Sequence, residues 1–334
     1  MYDKRGTQVR RVLAALTAAV ICTATAGSVR AATLVDPMAF GAFPGVATQA
    51  ATQDFEAQVG RSIAFVRVYD RWNDTFPNAQ TTWMKNTGHS LFLSIKTRYK
   101  SGVNIPWADI AAAQPGSTLY VDMQRWASQI KSYGIPIYVT FNHEPDTSNS
   151  QASGTPEQYV AAYRNFITVM RAEGVTNATW AWTTAARNYG LGKPAQYAPN
   201  YYPGDAWVDV IAIDAYNIYC QTKTGTWANP WRSLETILAP FMAFAANHPG
   251  IPLVVAEFGT SEDPALPNAK ANWITAAGEL FKQPGEYQRF EAIAYWNTTS
   301  HNYANCDFKV GSSTASLKAF KAVAADPFYS GKVS

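Results

Sequence analysis

Two short apolar runs in this chain each end in a carboxylate. Ile137-Tyr138-Val139-Thr140-Phe141 leads into Asn142-His143-Glu144-Pro145-Asp146, and Leu253-Val254-Val255-Ala256 leads into Glu257-Phe258-Gly259. A charge at the end of a buried strand is costly when unpaired, so each glutamate needs either an arginine partner in the rim or a chemical task. Two such groups facing one cleft could act on a glycosidic bond. One carboxyl would protonate the leaving oxygen and the other would attack the anomeric carbon, with about 5–5.5 Å between them if configuration is retained. Their environments must then differ, because one group keeps its proton while the other has lost it.

Other chemistries find less support. His143-Glu144 is not followed by a second histidine four residues after the first, so the zinc-protease helix motif is absent. The carboxylates do not form a calcium loop, and there is no G-x-S-x-G nucleophile elbow. No catalytic metal and no cofactor are expected. Arg67 lies in Phe65-Val66-Arg67-Val68-Tyr69. It could face inward and hold Glu257 ionised, or pair with Asp70 in the rim. Lys96 offers the same two alternatives. Asp214 and Tyr216 are two apart on a strand and share a face. Trp72, Trp227 and Trp231 fall in loops, where they could serve as sugar platforms or as loop packing. Trp83, Trp126 and Trp273 fall in helical patterns and read as core.

The elements that must position these residues alternate along the chain. Strand patterns lie near 37–43, 63–69, 90–96, 136–143, 178–183, 208–215, 252–257 and 291–296. Helical patterns lie near 49–59, 79–87, 118–132, 156–173, 232–247, 267–282 and 314–325. The pattern at 156–173 has Thr155 to N-cap, Pro156 at the first helical position, Gln158 to complete a capping box and Gly174 to stop it. Strands alternating with helices predict a parallel sheet, and eight such units in about 300 residues predict a single-domain α/β fold, a (β/α)8 TIM barrel. An open doubly wound sheet would carry a glycine-rich turn after the first strand, where this chain reads Phe40-Gly41-Ala42-Phe43-Pro44-Gly45. In a barrel the ends of strands 4 and 7 face each other across the mouth.

The chain has 334 residues, 47% hydrophobic and 15% charged, which argues against long disorder and coiled coil. Aromatics reach 13%, more than a core requires. Residues 1–31 read as a signal peptide: a basic start, an apolar stretch from Val12 to Gly27, and Val29-Arg30-Ala31 as a cleavage pattern. That leaves 32–334 as the mature domain, secreted and without a membrane span. Removing the leader leaves 22 basic against 23 acidic residues, so no nucleic-acid partner is implied. Two cysteines remain, Cys220 and Cys306, and a secreted protein permits a disulfide between them.

Four stretches resemble glycoside hydrolase family 26, a family of β-mannanases and related endo-glycanases in the clan of retaining (β/α)8 glycosidases. They are His143-Glu144, the run Tyr202-Pro203-Gly204-Asp205-Ala206-Trp207-Val208-Asp209-Val210-Ile211-Ala212-Ile213-Asp214-Ala215-Tyr216, Ala256-Glu257-Phe258-Gly259, and Ala294-Tyr295-Trp296. Asn177-Ala178-Thr179-Trp180-Ala181-Trp182 also resembles the family's strand 5. The resemblance implies Glu144 as acid/base, Glu257 as nucleophile and Tyr216 as a hydrogen-bond donor to the nucleophile. Arg67 would support the nucleophile. His143 and Trp296 would line the subsite of the cleaved sugar, and Asp214, Lys96, Trp72, Trp182 and Trp227 complete the candidate substrate-binding set. Where typical family mannanases have Met-Asn-Gly after His-Glu, this chain has Pro145-Asp146-Thr147. It has Lys96 and Arg98 where they place a histidine, and Asn297 where a basic residue often follows the strand-8 tryptophan. The expected function is that of a secreted, monomeric, retaining endo-glycosidase of β-linked polysaccharide, with β-1,4-mannan first and other β-glycans next. The alternative is a non-catalytic carbohydrate-binding protein on a decayed barrel, against which retention of both glutamates and Tyr216 argues.

Overall fold

A computed structural model describes residues 37–190, 192–222, 224–227, 229–299 and 306–333. The expected leader lies outside the described residues. Eight parallel strands close in sequence order into a barrel. They are β1 (Ala39–Phe43), β2 (Phe65–Arg71), β3 (Ser90–Lys96), β4 (Ile137–Phe141), β5 (Ala178–Ala185), β6 (Val210–Asn217), β7 (Leu253–Thr260) and β8 (Phe290–Trp296). Around them run α1 (Gln49–Val59), α2 (Ala79–Asn86), α3 (Trp107–Ala112), α4 (Thr118–Tyr133), α5 (Pro156–Ala172), α6 (Leu234–Ala245), α7 (Ala269–Leu280) and α8 (Thr314–Ala325). All eight expected strands and seven expected helices are present. The six-residue α3 escaped the sequence reading because a single turn and a half shows no periodicity; it buries Trp107 and Ile110.

The strand period of two sorts side chains into two interiors. Ala39, Phe65, Phe92, Tyr138, Ala181, Val210, Val254 and Ala292 meet inside the barrel. Their neighbours, such as Val66, Leu91, Val139, Trp182, Ile211 and Ile293, join the larger core that includes apolar faces of the helices. Full burial of a Leu, Ile or Phe contributes about 1.5–3 kcal/mol. Gly41 is required by close approach: a Cβ there would meet the Phe65 ring at 2.5 Å.

The helices carry their own start and stop signals. Thr155 Oγ1 accepts from Gln158 N at 3.3 Å while Gln158 Oε1 accepts from Thr155 N at 3.0 Å, which is the capping box opening α5. Gly60 and Gly134, both left-handed, close α1 and α4.

Two departures from regular strand geometry occur where the chemistry is expected. β4 ends at Phe141, short of the expected 143, because Asn142 turns to φ 45° and Glu144 to φ 49°. In β7 the pairing with β6 slips: Ile213 faces Val255, but Asp214 faces Glu257. The extra residue is a β-bulge, which reverses the parity of the strand beyond it. Val255 belongs to the outer core, and the bulge turns Glu257 to the inside.

Candidate active site

The inward positions continue upward from the barrel core as a polar layer. β2 supplies Arg67 and Tyr69 above Phe65, β3 supplies Ser94 and Lys96 above Phe92, and β6 supplies Asp214 and Tyr216 above Ala212. β8 ends in Trp296, two residues above Ala294.

Glu257 is held by two hydrogen-bond donors and one ion pair. Tyr69 donates to its Oε1 and Tyr216 to its Oε2. Arg67 Nη2 forms an ion pair with Oε1 at 3.4 Å. Arg67 is fully buried, with its guanidinium 4.4 Å from the centroids of both the Tyr69 and Phe92 rings. Burial disfavours its charge, but Tyr69, Glu257, Asp214 and Tyr216 oppose this and hold its pKa above the ordinary value. Burial likewise drives both phenols well above their usual range, so they remain protonated donors. Asp214 lies beside Glu257 with 2% exposure and, among the described residues, no hydrogen-bond partner for either carboxyl oxygen. Burial first, then the charges of Glu257 and Glu144, raise its pKa well above the ordinary value. Asp214 is therefore an enclosed neighbour of Glu257 rather than a surface presented to solvent.

Glu144 has the opposite surroundings. Its backbone is pinned, with N–H donating to Thr183 O at 2.9 Å. Among the described residues its carboxyl has no hydrogen bond or ion pair. Burial pushes its pKa up to about 7, with Arg187 opposing and Glu257 and Asp146 reinforcing the shift. The strained turn that aims it is fastened on both sides. Asn142 Oδ1 accepts from Thr97 N at 3.2 Å and Thr97 Oγ1 at 3.0 Å. Buried Asp146 accepts from Ala185 N and, at 2.8 Å, from Asn188 Nδ2. Left-handed non-glycine residues that surrounding contacts over-determine are a recurring feature of functional sites.

His143 is half-buried between the two carboxyls' supports. Its ring packs against Tyr69 at 5.0 Å, and its Nδ1 lies 3.1 Å from Ser94 Oγ. Burial, then Lys96 and Arg67, drive its pKa well below the ordinary imidazole value, so the ring is neutral. Lys96 Nζ lies 5.3 Å from the Tyr69 centroid, and burial lowers its pKa. The half-buried Trp296 stacks on Phe43 at 4.1 Å and meets Tyr69 and Tyr216 edge-on. Cys220 and Cys306 are joined in a disulfide with Cα atoms 5.1 Å apart. With Phe308 they form a small cluster against which Tyr216 and Trp296 pack.

The structure thus brings together Glu144, Glu257, Tyr216, Arg67, His143, Trp296, Asp214 and Lys96. Two candidates do not join them. Trp72 is fully buried, its Nε1 bonded to Asp122 and its ring against Phe141 and Phe166. Trp182 has outward parity on β5 and is enclosed by Tyr202 and Phe244. Neither can touch a sugar. Trp227 is 42% exposed on the loop after β6, stacked on Tyr219 at 4.3 Å. The sequence reading missed Tyr69, Ser94, Phe43, Asn142 and Asp146. Strand parity was the available signal for two of them: Tyr69 follows Arg67, and Ser94 precedes Lys96, by two residues.

The model of glycosyl hydrolase family 26 matches residues 117–257, from the threshold of α4 to the glutamate of β7. Endoglucanase H of Acetivibrio thermocellus is 26% identical over 286 residues, 82% of this chain. The chain spans 29% of the length of that curated relative. Among solved structures, the catalytic domain of a family 26 endo-β-1,4-mannanase from Bacillus sp. JAMB-750 is 18% identical, with 87% of this chain and 86% of that one covered at a TM-score of 0.59. The family 26 domain of an endo-β-mannanase/endo-β-glucanase from Prevotella bryantii is 14% identical, with 88% and 90% covered at 0.58. At these identities the solved structures show the fold. Over residues 117–257 the chain is similar to glycosyl hydrolase family 26.

Proposed function

We propose that this protein is a retaining endo-glycosidase of β-linked polysaccharide, with Glu144 as acid/base and Glu257 as nucleophile. The contrast between the two carboxyls carries the reading. Glu257 accepts hydrogen bonds from two tyrosines and pairs with Arg67, while among the described residues the Glu144 carboxyl has no hydrogen bond and burial pushes its pKa up to about 7. That division of labour is what double displacement requires. Glu144 protonates the departing glycosidic oxygen as Glu257 attacks the anomeric carbon. Glu144 then takes a proton from water, which releases the sugar with its original configuration. Trp296 offers a flat apolar face to the pyranose ring at the reacting centre, and its position is set by Phe43 beneath it.

β-1,4-mannan is the first substrate to test and β-glucan the second, since relatives bear both names. Two of the family departures have structural tasks here. Asp146 fastens the acid/base loop, and Asn297 Oδ1 accepts from Val310 N at 2.8 Å. The leader supports export of the mature chain, and the disulfide suits an oxidising compartment.

The test is release of new reducing ends from a panel of mannans, glucomannan, mixed-linkage glucan and cellulose, with the product anomer followed by NMR during early turnover. The expected result is hydrolysis of at least one, with the β-anomer formed first. An α-anomer would exclude retention. Binding without hydrolysis across the panel would favour a carbohydrate-binding protein.

A further inference from the structure

Ser94 stands midway along a chain of polar contacts from the nucleophile to the residue preceding the acid/base. Arg67, paired with Glu257, donates from Nη1 to Ser94 Oγ at 2.9 Å. Ser94 Oγ in turn lies 3.1 Å from His143 Nδ1. Ser94 is fully buried, and these are the partners of its hydroxyl among the described residues.

The direction of each bond follows from counting protons. A guanidinium N–H can only donate, so Arg67 occupies a lone pair of Ser94 Oγ. The serine proton then needs an acceptor, because a buried hydroxyl hydrogen left unpaired is costly. His143 Nδ1 is the acceptor in reach. It can accept only if it carries no proton, and a neutral imidazole then holds its proton on Nε2. The reverse arrangement, with Nδ1–H donating to Ser94, would make the serine accept twice and leave its own hydrogen without a partner. Nε2 itself makes no protein hydrogen bond among the described residues, and the ring is half-buried beside Tyr69.

We propose that Ser94 is a positioning residue that fixes His143 as the Nε2–H tautomer, so that His143 meets the substrate as a hydrogen-bond donor to a sugar oxygen beside Glu144. It does not serve as an acceptor or a base. The tautomer stands on the buried contacts alone; only its use toward a sugar rests on the proposed function.

The experiment is 15N NMR of protein labelled at histidine, with His143 assigned from the spectrum of His143→Gln. The wild-type ring should show a protonated Nε2 and an unprotonated Nδ1. Ser94→Ala should shift the ring toward the other tautomer. It should lower kcat/KM about tenfold, the worth of one hydrogen bond, and leave the basic limb of the pH profile in place. Ser94→Thr, which keeps the hydroxyl, should restore the wild-type signature. A wild-type Nδ1–H signal would overturn the proposal without recourse to any variant, and so would a Ser94→Ala spectrum identical to wild type. The expected spectra in a protein that hydrolyses no glycan would sustain the tautomer while the catalytic reading failed.

Discussion

Arg67 and Glu257, 190 residues apart in sequence, meet at 3.4 Å at the centre of the barrel, the arginine wholly shielded from water. Removing one partner of a buried pair leaves the other charge unbalanced, which costs about 3–5 kcal/mol. Arg67→Met should therefore lower stability by an amount of that order, read from urea denaturation, and reduce kcat as well. A variant as stable as wild type would mean that the two tyrosines alone suffice to hold the carboxylate.

Tyr69 and Tyr216 grip opposite oxygens of Glu257. Each bond to a charged acceptor is worth about 1.5–3 kcal/mol, so Tyr69→Phe and Tyr216→Phe should each lower kcat/KM by roughly 10- to 100-fold. The two share one acceptor group, and the double variant should lose less than the product of the single losses. Full independence of the two effects would contradict a common role in positioning Glu257.

Much of this site was legible because strand parity and abrupt polar endings survive translation into sequence. Arg67, Lys96, Asp214, Tyr216 and Trp296 sit at positions that a period of two places inside the barrel. Trp182 shows the same rule in reverse. Its neighbour Ala181 faces inward, so Trp182 had to face the helices. Two features were hidden. The β7 bulge is a one-residue slip that no spacing announces, yet it decides that Glu257 points into the cleft. The positive φ values of Asn142 and Glu144 are imposed by long-range bonds to Thr97 and Thr183, from β3's end and β5. Tyr69 was passed over because an aromatic in an apolar strand reads as core until its hydroxyl is seen to have a partner.

The disulfide closes a loop of 86 residues. Loop-closure entropy assigns such a link about 4–5 kcal/mol, an upper figure. Because Tyr216 and Trp296 pack against the bridged cluster, its loss should reach the site as well. Cys220→Ser/Cys306→Ser should show a lower melting temperature and a raised KM for polysaccharide. Unchanged activity in a destabilised variant would confine the bridge to a stabilising role.

On the proposed mechanism Glu144 sets the response to pH. A general acid must be protonated in the free enzyme, so kcat/KM should fall as pH rises through about 7, the value to which burial pushes this group. Stability should move the same way. From the ordinary 4.5 up to about 7 the folded state binds more proton at Glu144 than the unfolded chain does. Its contribution is present in full at acid pH and lost as pH rises through that window. Asp70 and Asp146, raised from 3.8 to about 7, act in the same sense. Glu144→Gln should abolish the basic limb along with most activity and flatten the dependence of melting temperature on pH. A limb that survives in this variant would assign the acid elsewhere.

The two glutamates can finally be told apart by what an added anion does. On the proposed mechanism Glu257→Ala removes the group that forms the glycosyl-enzyme, while Trp296, His143 and Tyr216 remain to bind sugar. Turnover should fall by several orders of magnitude with KM little changed, as when an interaction made chiefly in the transition state is lost. The cavity left by the carboxylate lies on the face of the sugar that Glu257 attacked. Azide entering there should attack an activated aryl β-glycoside directly and yield the α-glycosyl azide. In Glu144→Ala the nucleophile is intact, so an aryl glycoside with a good leaving group still forms the covalent intermediate. What fails is activation of water, and azide, which needs no general base, should take its place. It attacks from the opposite face and yields the β-glycosyl azide. The stereochemistry of the isolated azides therefore reads each residue's role independently of rate. Exchanged products would mean that the roles of strands 4 and 7 are reversed, and near-normal hydrolysis in Glu257→Ala would mean that this glutamate is not the nucleophile.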